Sequence, residues 1–144
     1  MRITSDSHID HVSPDILDFV IARYQNKSGF FIETIELPAN LGTLDCGLYG
    51  PIMGDSPIYD DDIDFRYRGD RTNLSRVIGK PVRQTSLLTV IAGPHNGIDC
   101  VLYTCFGGPA TPKEATDNTL TDDDRQAAID FWSVHALCDQ QIGQ

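Results

Sequence analysis

Ile16, Val20 and Tyr24, with Leu17 and Ile21 beside them, recur at the spacing of one helix face. Ser13-Pro14-Asp15 comes just before them and supplies an N-cap, a proline for the first turn and an acid for the helix dipole. The pattern predicts a helix over about 14–27, closed at Gly29. The twelve residues ahead of it are polar and read as a short strand or a tail. From Phe30 to Leu37 the side chains are of β type, interrupted by Glu33 and Glu36 and closed by Pro38. A glycine- and proline-rich stretch follows and reads as loops, with Cys46–Met53 as a candidate short strand.

Further on, Ile63, Phe65 and Tyr67 alternate with Asp64, Arg66 and Arg68, which predicts a two-faced strand ending at Gly69-Asp70. Residues 74–78 form another short element. The strongest apolar runs are Ser86–Ala92 and Ile98–Phe106. Gly93-Pro94-His95-Asn96-Gly97 separates them, so the expectation is an antiparallel hairpin over 86–106 with a five-residue loop. Thr121 precedes Asp122-Asp123-Asp124, and Ala128, Phe131, Trp132, His135 and Cys138 then repeat at helical spacing. A C-terminal helix over about 122–138 is expected. The order is helix, strand, loops, strand, hairpin, helix, with no internal repeat. It predicts an α+β fold in one globular domain, a mostly antiparallel sheet packed against both helices.

Composition narrows the function classes. The 144 residues include 21 acids and 11 bases, a formal net charge of -10. Such a body repels long nucleic acid and anionic membranes, yet screening leaves room for a local basic site. The N-terminus lacks the apolar core of a signal peptide, and no run is long enough to span a bilayer, so a cytoplasmic location is expected. Cys46, Cys100, Cys105 and Cys138 form no C-x-x-C pair and read as buried thiols, with neither a metal nor a cofactor expected. No P-loop, G-x-S-x-G, H-E-x-x-H or G-x-G-x-x-G motif is present.

Candidate chemistry concentrates in one segment and one turn. Arg66, Arg68, Arg71, Arg76, Lys80 and Arg83 supply six of the eleven bases. Guanidinium forks match phosphate oxygens in pairs, so Arg66, Arg68, Arg71 and Arg76 are candidate ligand-binding residues. Asp60, Asp61, Asp62, Asp64 and Asp70 offer these arginines a purely structural pairing instead. His95, in a turn between rigid strands, is a candidate binding or acid–base group. Thr104, near a strand end before Gly107-Gly108, is a candidate donor to a ligand oxygen. Tyr67, together with Tyr49 or Phe106, could stack a base.

A leading helix followed by a small antiparallel sheet that carries Arg66, Arg68, Arg76, His95 and Thr104 resembles the metal-independent ribonucleases of the barnase/RelE type. The resemblance covers roughly residues 14–108 at the level of architecture. The strongly acidic body and the additional C-terminal helix depart from it. It implies attack of a ribose 2′-hydroxyl on the neighbouring phosphate, with His95 moving protons and Arg68 and Thr104 beside it.

Three readings therefore stand. The first is a binder of a small phosphate-bearing ligand, such as a nucleotide or cyclic nucleotide signal. Sequestration of such a signal, as by a phage protein blunting a host alarm nucleotide, would fit it. The second is a metal-independent phosphodiester-cleaving enzyme. The third is an acidic interaction protein presenting Asp60-Asp61-Asp62 and Asp122-Asp123-Asp124 to a basic partner. The sequence leaves a homo-oligomer open.

Overall fold

A computed structural model of the chain describes residues 1–9, 12–50, 75–78 and 80–138. The fold is α+β, with its strands mostly in antiparallel pairs. The chain forms two compact units, each assembled from two stretches. One joins Met1–Cys46 to Gln84–Ala110, and the other joins Gly47–Arg83 to Thr111–Gln144.

The first unit starts with α1 (Pro14–Arg23), where the Ser13 hydroxyl accepts from the Ile16 amide at 3.3 Å. The helix stops four residues before the expected end. Tyr24 leaves helical geometry as the C-cap, and the Lys27 amide donates to the Tyr24 carbonyl in a turn. Gly29, at φ 75°, leads the chain into β1 (Phe31–Glu36). A 3-10 turn (Ala39–Leu41) and β2 (Leu44–Asp45) follow.

The central hairpin pairs β6 (Leu87–His95) with β7 (Ile98–Gly107), and β1 flanks β6. Asp45 and Leu44 of β2 pair with β5 (Gln84–Thr85). The expected five-residue loop is replaced by a two-residue turn, Asn96-Gly97, with φ 50° and 79°. Both residues are left-handed, the geometry that suits the twist of a tight hairpin. Gly93 and Pro94 belong to the strand, within a register shift between Gly93 and His95.

Leu88 and Val90 of β6 have no exposed surface. They close a core with Ile16, Val20, Tyr24, Ile35, Leu102 and Cys105. Burying side chains of this size is worth about 1.5–3 kcal/mol each. The N-terminal segment runs parallel to β7, bridging Arg2 to Val101 and His8 to Thr104. All four cysteines are buried, and none is in a disulfide.

The second unit contains β3 (Leu48–Tyr49), β4 (Ser75–Val77), α2 (Asp122–Trp132) and β8 (Ala136–Cys138). The Thr121 hydroxyl accepts from the Asp124 amide and caps α2. The helix ends at Trp132, short of the expected 138. His135 lies in the turn beyond it, stacked on Phe131 at 4.1 Å, with Nδ1 2.9 Å from the Phe131 carbonyl. Cys138 is in β8, the middle strand of the order β3-β8-β4, and not on a helix. Ala128 and Trp132 pack with Ala115, Leu48 and Leu137, so α2 builds its own core in this unit.

Candidate functional site

Arg66, Arg68, Arg71 and Tyr67, with the aspartates at 60–62, 64 and 70, lie outside the described residues. Among the other candidates, Arg76 is in β4, half-buried, in register with Leu137 and hence in one cross-strand row with Leu48. The second row of that sheet is Tyr49, Ala136 and Ser75, on the opposite face. The Ser75 hydroxyl is buried there and has no hydrogen-bond partner among the described residues. Arg83 sits over the Tyr49 ring, so the protein's own guanidinium takes a face on which a base was expected to stack.

His95 and Thr104 belong to the first unit. His95 closes the hairpin opposite Ile98, and Thr104 lies six positions beyond Ile98 along β7. At about 3.3 Å per residue the two are roughly 20 Å apart, so the hairpin does not bring them together. His95 Nε2 is 3.0 Å from Asp6 Oδ2 and 3.2 Å from the Asn96 side-chain amide. That nitrogen holds at most one hydrogen, so it either donates to Asp6 or accepts from Asn96. Its present role is to tie the N-terminal segment to the hairpin tip. Phe106 is half-buried opposite Thr89.

A different constellation lies at the turn end of the same hairpin. Met1, Arg2, Lys27 and the run Gly97–Cys100 line an open cavity of about 290 Å³. Three separate pieces of chain converge there, and backbone hydrogen bonds hold each in place. The Arg2 amide donates to the Cys100 carbonyl at 3.0 Å, and its carbonyl accepts from Leu102 at 2.8 Å. The loop carrying Lys27 is tied to β7 by the Gly29 amide, 3.2 Å from the Asp99 carbonyl. The Lys27 ammonium lies 5.2 Å from the centre of the Phe31 ring, a cation–π distance.

Among the described residues no salt bridge joins Arg2, Lys27 or Asp99 to an opposite charge. Arg2, Lys27 and Asp99 therefore line one space with no ion pair among them. Sequence reading missed this site because Arg2, Lys27 and Asp99 are far apart along the chain and follow no spacing rule. The pairing of the N-terminal segment with β7 and the hydrogen bond from Gly29 to Asp99 place them together.

Comparison with protein-family models, with curated proteins and with solved structures finds no match to this chain.

Proposed function

We propose that this protein binds a small phosphate-bearing ligand, and that the cavity lined by Arg2, Lys27 and Asp99 receives it. One observation carries the reading: on a chain of net charge -10, two cations line a single cavity and neither is ion-paired. Hydrogen bonds from charged donors to a phosphate are the strong kind, worth about 1.5–3 kcal/mol each. A volume of about 290 Å³ is at the lower end of ligand cavities. It suits a small ligand, and the acidity of the whole chain disfavours a nucleic-acid strand.

Calorimetric titration with adenosine 5′-monophosphate and with inorganic phosphate tests the reading. The Arg2→Ala, Lys27→Ala double variant should lose about 3 kcal/mol or more of binding energy while keeping its folded spectrum. Unchanged affinity in the folded double variant would remove this cavity from consideration. Arg66→Ala with Arg68→Ala is the parallel arm, and a loss of binding confined to that pair would move the ligand to the arginine-dense segment. Recovery of intact nucleotide after denaturation is expected of a binder, and a cleaved product of a phosphodiester probe would instead favour the enzyme.

A further inference from the structure

We infer that the cavity selects ribonucleotides over bare phosphate and over deoxyribonucleotides, with Asp99 as the selecting residue. The inference rests on the phosphate-binding reading of the same cavity and adds what the anion must be attached to. A site built only for an anion would present donors and exclude carboxylates, because a second negative charge nearby repels the first. Here Asp99 is exposed and lines the same space as Arg2 and Lys27. It has no ion-pair partner among the described residues, so its acceptor oxygens remain available to a ligand.

A carboxylate accepts hydrogen bonds and donates none when ionised, so its complement is a hydroxyl or another donor. Carboxylates that receive ribose hydroxyls beside a phosphate site are a recurrent solution to nucleotide binding. The ribose 2′-hydroxyl is also the group that separates RNA from DNA building blocks. The location adds a second argument. Asp99 sits two residues past the Asn96-Gly97 turn, at the register shift of the hairpin, and its own carbonyl is fixed by the Gly29 amide. The same hydrogen bond couples it to the loop that carries Lys27. Phosphate and sugar would therefore be read by groups held at a set separation.

The decisive experiment titrates the full chain with three probes: adenosine 5′-monophosphate, its 2′-deoxy counterpart and inorganic phosphate. The ribonucleotide should bind about tenfold or more tightly than the deoxyribonucleotide. Asp99→Ala, which removes the acceptor, should abolish that preference, and Asp99→Asn, which removes the charge, should strengthen binding of inorganic phosphate. Equal affinity for the two nucleotides, or a preference that survives Asp99→Ala, would overturn the assignment and leave the phosphate site standing. Absence of binding by all three probes would overturn both. Amide spectra of both Asp99 variants that match the parent at Gly29, Gly97 and Cys100 show that they keep the cavity.

Discussion

The Arg83 guanidinium carbon lies 4.6 Å from the centroid of the Tyr49 ring, and its Nη2 donates to the Leu48 carbonyl at 2.8 Å. One side chain thus clamps β3 through both a ring face and a backbone acceptor. Lysine would keep the charge but lose the planar fork that makes both contacts at once. Arg83→Lys should destabilise the second unit by about 1 kcal/mol. Trp132 is the single tryptophan and is buried in that unit, so its fluorescence during urea unfolding reports the change.

Ser75 gives a prediction of opposite sign. Its side chain is 1% exposed, and its hydroxyl lacks a partner among the described residues. A buried hydroxyl left unsatisfied costs about 1–3 kcal/mol. Removing it removes that cost, at the expense of one small packing atom. Ser75→Ala should be neutral or more stable by up to about 1 kcal/mol in the same fluorescence assay. A loss above 1 kcal/mol would mean that the hydroxyl is satisfied by a bound molecule or another group.

Two glycines of β7 and its turn should respond very differently to alanine. Gly97 is left-handed with open space where a Cβ would sit, so Gly97→Ala meets only backbone strain of about 1–2 kcal/mol. At Gly107 an added Cβ would lie 2.2 Å from the Asp45 carbonyl oxygen and 2.8 Å from Leu44 Cγ. The obstacle is backbone, which cannot rotate away, and the parallel bridge between Cys46 and Gly107 depends on that approach. Gly107→Ala should cost about 3 kcal/mol or more. Thermal melts of the two variants should separate clearly, with Gly107→Ala much the lower.

The hairpin was legible in sequence because Leu88, Val90, Leu102 and Cys105 lie in runs too apolar for any place but a core. Its turn is shorter than the sequence suggests because Gly93-Pro94 looks like punctuation. Gly93 is a strand residue for a packing reason. A Cβ there would lie 2.7 Å from the Tyr103 hydroxyl, which itself donates to the Pro94 carbonyl at 2.6 Å. A phenol ten residues further on, across the hairpin, thus explains the glycine, and only the strand pairing brings the two together. The C-terminal helix ends earlier than its side-chain spacing suggests for a related reason. Phe131 and His135 are four apart and do meet, but as stacked rings across a helix end. Side-chain spacing alone does not distinguish that contact from another helical turn. The cavity was the least legible feature, since its charges come from an N-terminal segment, a loop and a strand.

The buried thiols make the last prediction, which concerns pH. Burial pushes the Cys105 thiol up to about 11 from an ordinary value of 9.0, because the apolar core disfavours a thiolate. Reaction requires the thiolate, so at pH 8 the native protein should resist a disulfide reagent over minutes, with all four cysteines reacting in denaturant. The same shift sets a stability slope. The unfolded chain releases the Cys105 proton near pH 9, whereas the folded chain holds it until about 11. Stability from this group is therefore fully present below pH 9 and falls as pH rises through 11. Two units correspond to about 3 kcal/mol. Cys105→Ala should flatten the decline between pH 9 and 11 by roughly that amount relative to the parent. Parallel slopes in the two proteins over that window would show that Cys105 ionises as freely in the folded chain as in the unfolded one.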